Sequence, residues 1–239
     1  MVAHTTGRVA AAVSAATLLA IVGAESTGKT TLAAALAPRL AKETGLRVAW
    51  VSETLREWCD RVGRTPLAHE QASILRQQHE RIDAAAEQHD VVVCDTTGLM
   101  TAVYSQWVFA DRSLHARAVQ LQRRMALTLL TAVDLPWVAD GQQRDGPHVR
   151  EGIDAAIREL LVGNGLPWAL VSGQGQARLE AAVEAALPVI QATTARHSVL
   201  TRAGGHGRAR WSCSCCANTD LGSVFTAKTV APATAAKLL

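Results

Sequence analysis

The sequence predicts an α/β protein, a three-layer sandwich in which a five-stranded parallel sheet carries helices on both faces. Five short apolar runs alternate with longer segments of helical period, the signature of such a sheet. None of the runs shows the strict polar–apolar alternation of a half-exposed strand, as expected when both faces are covered. A chain of 239 residues, 49% hydrophobic and 19% charged, has enough apolar material to bury the core this requires.

The first strand is read over residues 17–22. It closes an apolar stretch, residues 9–22, that follows Arg8 and imitates a secretory leader. That stretch is too short to span a bilayer, and cleavage within it would remove the strand that aims the glycine loop behind it. A lead-in of residues 1–16 and a soluble, cytoplasmic protein are therefore expected. The remaining strands fall at 47–51, 91–94, 127–132 and 168–171. Between them the spacing predicts helices over 29–43, 66–88, 97–109, 113–125, 149–161 and 176–190. Pro38 is expected to kink the first of these or tighten its packing. Thr65 is read as the N-cap of the second, with Pro66 at its first helical position. Gly45, Gly163 and Gly165 serve as stop signals. After about residue 192 the pattern decays, which gives a domain over 17–195 and a Gly/Arg- and Cys-containing tail over 196–239.

Charge and cysteine usage narrow the function. Lys+Arg total 24 against 21 Asp+Glu, a formal charge of +3. That balance argues against nucleic acid or an anionic membrane as the partner, leaving a small molecule; a homo-oligomer is compatible with it. Five cysteines is an odd count, and with Cys59 and Cys94 inside element-like segments a secreted disulfide framework is not expected. In the tail, Cys213, Cys215 and Cys216 contain one C-x-x-C. With His206 as the remaining ligand candidate, the spacing is poor for a four-ligand zinc site.

The strongest motif is Gly23-Ala24-Glu25-Ser26-Thr27-Gly28-Lys29-Thr30, a match to G-x-x-x-x-G-K-[ST] between an apolar strand and a helix. Its glycines let successive N–H groups curl around phosphate oxygens, and the following helix adds its dipole to the same anion site. Lys29 would reach the β- and γ-phosphates and Thr30 would offer a hydroxyl to Mg²⁺, so ATP and Mg²⁺ are the expected ligands of a P-loop NTPase fold. Asp95, closing the run Val91-Val92-Val93-Cys94, is placed to hold the magnesium from the neighbouring strand, a role compatible with also capping the next helix. Glu53, just past the second strand, is either a base for an attacking hydroxyl or a first-turn Glu suited to a helix dipole. Arg144 and Arg150 lie in a polar, turn-rich segment that is either an Arg-bearing lid or a solvated loop.

Four segments taken together, GAESTGKTTLA, VSETLREW, VVVCDTTGLMTAVYSQWVF and DLPWVADGQQRDGPHVRE, resemble the ribosylnicotinamide kinase domain of the bifunctional NadR type, a P-loop kinase branch labelled AAA-type ATPase. The similarity covers residues 18–190. It implies transfer of the γ-phosphoryl of ATP to the 5′-hydroxyl of nicotinamide riboside, giving NMN and ADP. It further implies that Gly23, Ala24, Glu25, Ser26, Thr27, Gly28, Lys29, Thr30 and Thr31 bind ATP, with Thr30 and Asp95 serving magnesium. Glu53 and Arg56 would line the acceptor pocket with Glu53 as the catalytic carboxylate. Gln78 matches a glutamine on the substrate-side helix, and Asp140 and Arg144 match the lid. Tyr104 and Trp107, three apart on one helix, would sandwich a pyridinium ring or else be ordinary core. The family's second acid in CDTD is Thr97 here. The chain begins almost at the glycine loop, so at most the kinase step is expected of it. A regulatory ATPase, or a kinase of another nucleoside or vitamin alcohol, remains the rival.

Overall fold

The computed structural model describes residues 16–138 and 147–203. In chain order they form β1 (Thr17–Val22), α1 (Lys29–Thr44), β2 (Val48–Val51), α2 (Thr54–Val62), α3 (Ala68–Ala86), β3 (Val91–Asp95), α4 (Gly98–Phe109), α5 (His115–Gln122), β4 (Leu127–Thr131), a 3₁₀ turn (Pro147–Val149), α6 (Arg150–Gly163), β5 (Trp168–Val171) and α7 (Gly175–Ala203). The five strands are all parallel, in the order β2-β3-β1-β4-β5. This is the three-layer α/β sandwich with a five-stranded parallel sheet that the alternating pattern predicts. Compact units divide the chain at residues 199 and 200.

The three inner strands are buried along their whole length, which is why their sequences are continuous apolar runs. Alternation nevertheless decides which layer each residue meets. Leu19 and Ile21 join Leu32, Leu36 and Leu40 of α1 and Val183, Ala186 and Ile190 of α7 in one cluster. Leu18 and Ala20 face the other way, against Ile82 of α3 and Met125. Val22 and Leu130 pack with Leu99, Met100 and Val103 of α4 and Ile153, Ile157 and Leu161 of α6. The edge strands β2 and β5 are only partly covered and leave Trp50 and Leu170 exposed.

Several boundaries differ from the sequence reading. Residues 54–62, read from sequence only as a helix-like stretch around Cys59 without bounds, are helix α2, a nine-residue element that Gly63 ends in left-handed conformation, φ 77°. The next helix starts two residues later than Pro66 and its N-cap is Leu67, not Thr65. The reason is Glu70, whose carboxylate accepts the Leu67 N–H at 2.8 Å and pairs with Arg64 at 2.7 Å, so the acid rather than the threonine meets the helix end. Helix α5 is shorter than expected and α7 longer, and α1 runs through Pro38. Cys59 and Cys94 are buried free thiols in α2 and β3. Cys213, Cys215, Cys216 and His206 lie outside the described residues. No helix among the described residues is long and apolar enough to cross a membrane.

Candidate active site

At the carboxyl edge of the sheet, β1 passes directly into the glycine loop. Gly23 has no room for a side chain: a Cβ there would stand 2.0 Å from Thr131 Oγ1 and 3.1 Å from the Thr131 carbonyl oxygen. Gly28 is the N-cap of α1 at φ 76°, a left-handed conformation that glycine adopts at no steric cost. Between them the loop is wound around its own polar atoms. The fully buried Thr27 donates its hydroxyl to the Ala24 carbonyl at 2.8 Å and lies 2.7 Å from Thr131 Oγ1 on β4. Thr131 Oγ1 is in turn 3.2 Å from the Val22 carbonyl. Lys29 Nζ donates to the same Ala24 carbonyl at 2.8 Å, so its ammonium is folded back over the loop. Ser26, at φ 53°, donates its hydroxyl to the Val138 carbonyl at 2.8 Å, which ties the loop to the segment after β4. Glu25 is buried, whereas Thr31 faces out on α1.

Asp95 closes β3 beside the loop, in register with Ile21 of β1, and is fully buried. Burial pushes its carboxyl above the usual carboxylate range, while the Thr30 hydroxyl and the charges of Lys29 and Arg56 act in the opposite direction. Thr30, Lys29 and Arg56 are thus all near enough to Asp95 to act on its carboxyl; the resemblance groups Arg56 with Glu53 on the acceptor side. Neither carboxylate oxygen of Asp95 makes a well-formed hydrogen bond to the protein. A buried carboxylate in that condition calls for a cation. A hard divalent ion with oxygen ligands fits the donor set of Asp95 and the Thr30 hydroxyl. Asp95 does not cap the next helix; that position is taken by Thr97, whose Oγ1 accepts the Leu99 N–H at 3.3 Å. Thr96 between them sits at φ 65°, strained for a β-branched residue.

The acceptor side is built on α2 and α3. Glu53 is the N-cap residue of α2, and its side chain makes no capping bond. Arg56 lies one turn along. Gln78 is 3% exposed: its Oε1 accepts the Thr54 N–H at 2.7 Å, and its Nε2 donates to the Ser52 carbonyl at 3.3 Å and the Thr96 carbonyl at 3.5 Å. Its amide therefore joins the turn carrying Glu53 to the turn that follows Asp95. Arg81, which sequence reasoning missed, adds bonds to Thr54 Oγ1 at 3.2 Å, Ser52 Oγ at 2.9 Å and Glu57 at 2.8 Å. Its charge and the Ser52 hydroxyl hold the Glu57 carboxyl below its ordinary range.

Tyr104 and Trp107 do not share one environment. Tyr104 is half-buried against the cluster that contains Val22 and Ala24, under the glycine loop. Trp107 is 44% exposed and lies on Gly152 of α6, where an added Cβ would come within 2.2 Å of the indole. Thr97, in the place of the family's second acid, is 1% exposed and donates to Gln122 Oε1 at 2.7 Å; Gln122 then donates to Thr128 Oγ1 at 2.8 Å. That hydroxyl is committed to the core. Beneath it His79 is also buried and its Nε2 accepts the Gly98 N–H at 3.2 Å, a neutral side chain serving the start of α4. Asp140 and Arg144 lie outside the described residues. Arg150, at the start of α6, is buried and donates to the Leu135 carbonyl at 3.0 Å.

A family model described as an AAA domain matches residues 18–178, more than half of the chain. A comparison with curated proteins returned no match. Among solved structures, the NadR protein in complex with NR superimposes with a TM-score of 0.61 at 19% identity, over 74% of this chain and 52% of that one. The present chain therefore spans about half the length of that protein. Thymidylate kinase from Ehrlichia chaffeensis superimposes with a TM-score of 0.51 at 16% identity, over 69% of this chain and 96% of the kinase.

Proposed function

Because the chain belongs to the AAA domain family and has the fold of a P-loop kinase, we propose that it is an ATP-dependent phosphotransferase whose acceptor is a small-molecule alcohol, most specifically the 5′-hydroxyl of nicotinamide riboside. The observation that carries this reading is the convergence of Lys29, Thr30 and Arg56 on a buried Asp95 whose oxygens lack well-formed hydrogen bonds, with the Glu53 carboxylate on the adjoining turn.

In this reading Lys29 leaves the Ala24 carbonyl for the β- and γ-phosphates, and the loop N–H groups take the remaining phosphate oxygens. Thr30 and Asp95 hold Mg²⁺, which supplies charge neutralisation at the phosphates when bound. Glu53 orients the acceptor hydroxyl and takes its proton as oxygen bonds to the γ-phosphorus and the bond to the β-phosphate oxygen breaks, releasing ADP. Arg56 lies close enough to Asp95 for its charge to be felt there, which suits it to the incoming phosphoryl charge. Arg144 and Asp140, outside the described residues, take the lid roles that the resemblance implies, and Tyr104, beside the glycine loop, is the aromatic residue assigned to the acceptor, with Trp107 farther along the same helix on Gly152. Gln78 holds the Glu53 turn against the Asp95 turn. The catalytic unit is residues 17–195, the tail 196–239 is outside it, and the reaction belongs to the cytoplasm.

The test is ADP release from Mg·ATP by the purified chain, with and without nicotinamide riboside, with NMN assayed directly. Riboside-dependent ADP matched by NMN is expected. ADP release indifferent to any acceptor would replace this reading with a regulatory ATPase, and turnover with another alcohol alone would keep the chemistry and change the substrate.

A further inference from the structure

One buried side chain joins strand ends that the glycine loop depends on. Arg178, in the first turn of α7, is 4% exposed. Its Nη1 donates to the Thr27 carbonyl in the loop at 2.9 Å and its Nε to the Gly173 carbonyl after β5 at 2.7 Å. Its Nη2 reaches the Ala132 carbonyl after β4 at 3.5 Å and pairs with the Asp134 carboxylate. Asp134 in turn accepts the Gly173 N–H at 2.7 Å. The ends of β1, β4 and β5 are thereby tied to one guanidinium.

Burying a guanidinium is costly, and a well-packed apolar side chain of similar volume is often as stabilising or more so. What Arg178 supplies that an apolar residue cannot is direction. The peptide unit is planar and trans, so a Thr27 carbonyl held toward α7 turns the Gly28 N–H to the opposite side. Lys29, whose ammonium bonds to Ala24 across the same loop, follows one residue later.

We propose that Arg178 is a positioning residue that presets the phosphate loop: by fixing the Thr27–Gly28 peptide it aims a backbone donor at the nucleotide triphosphate. The same guanidinium keeps the Ser172–Gly175 turn in register with the loop. This rests on the nucleotide-binding reading above and adds to it a residue remote from the reacting atoms.

The experiment compares the full chain with Arg178→Met and Arg178→Lys, measuring Mg·ATP affinity by titration calorimetry and steady-state rates with nicotinamide riboside as acceptor. Arg178→Met is expected to weaken Mg·ATP binding about tenfold or more, the scale of a lost charge-assisted hydrogen bond. KM for ATP should rise in parallel, with kcat at saturating ATP changed by no more than about threefold because the reacting groups are untouched. Arg178→Lys should recover part of the affinity, since an ammonium can still meet one carbonyl but lacks the fork. A merely structural role would lower the melting temperature and leave the affinity of the folded protein unmoved. Wild-type affinity in folded Arg178→Met overturns the proposal. If that variant does not fold, Asp134→Asn takes its place, keeping the guanidinium and removing its counter-charge. A loss of about threefold or more supports the brace, and unchanged affinity overturns it. A wild-type chain that binds no Mg·ATP overturns the nucleotide reading and the brace together; normal wild-type binding with an unaffected Arg178→Met overturns the brace alone.

Discussion

Stability of this protein should fall in mild acid because of one histidine under the candidate site. His79 is 4% exposed and its Nε2 accepts the Gly98 N–H at the first residue of α4. That bond puts the ring proton on Nδ1, which is buried without a hydrogen-bond partner. Burial, then the charges of Arg124 and Arg117, bring the imidazole pKa down from 6.5 to about 4, with Asp83 opposing. A folded-state pKa below the unfolded one means that the native state binds fewer protons. The contribution is therefore complete above the unfolded value near 6.5 and is lost as pH falls through about 4. Across that window it amounts to about 3 kcal/mol, of which about 2 kcal/mol is lost between pH 7 and pH 5. His115 is shifted down as well, mainly by burial, and adds to the slope, while the raised pKa of Asp95 acts in the opposite sense. Those shared terms cancel in the difference between wild type and His79→Gln, whose amide oxygen can still accept from Gly98. Urea unfolding at pH 7 and pH 5 on both proteins gives that difference directly. Between pH 7 and pH 5, His79→Gln should lose about 2 kcal/mol less stability than wild type does. Equal losses in the two proteins would mean that His79 is not held neutral by the fold, and the tautomer argument would go with it.

Other perturbations test separate parts of the site. Glu53→Gln should leave Mg·ATP binding intact and abolish transfer, whereas Lys29→Ala should damage nucleotide use with every acceptor tried; turnover unchanged in Glu53→Gln removes that carboxylate from the mechanism. Gly23→Ala should weaken nucleotide binding and cost about 1–3 kcal/mol of stability, because the new methyl meets Thr131 backbone as well as its hydroxyl; wild-type melting and affinity would show that the loop can yield. Thr97→Val deletes the cap of α4 and strands Gln122 Oε1 in the core, a loss of about 1–3 kcal/mol readable by urea titration. Cys59 and Cys94, whose thiols are pushed up to about 11 and about 12 mainly by burial, should resist alkylation in the native protein and react once unfolded. Peptide mapping after a short pulse of reagent would reveal either one as accessible.

The glycine motif is legible because its signature is local: a strand, the eight-residue motif and a helix follow one another within a short stretch of chain that contains Gly23, Lys29 and Thr30. Asp95 is nearly as legible, since ending an apolar strand in a carboxylate places it at the carboxyl edge once the sheet is parallel. The continuous apolar runs at β1, β3 and β4 announce burial on both faces. The bounds of helix α2 were not legible, because a nine-residue element between Glu53 and Gly63 carries too few turns to establish a period. Nor was the start of α3, where Thr65-Pro66 has the look of a helix entry but Glu70, paired with Arg64, settles the cap elsewhere.

Tertiary structure alone decided which side chains serve as scaffolding. Gln78 is one glutamine among several on a helix until α3 packs beneath β2 and β3 and turns its amide onto Ser52, Thr54 and Thr96. Tyr104 and Trp107 share a helix stripe in sequence, yet one meets the core under the loop and the other lies on Gly152 because α4 packs against α6 there. Arg178 stands 151 residues from Thr27 in the chain and has no local signature. Local periodicity and motif spacing specify which elements form and where the loop opens. The hydrogen bonds that hold the loop, the Glu53 turn and the Asp95 turn in one register join residues distant in the chain. They exist only after the sheet has brought the strand ends side by side.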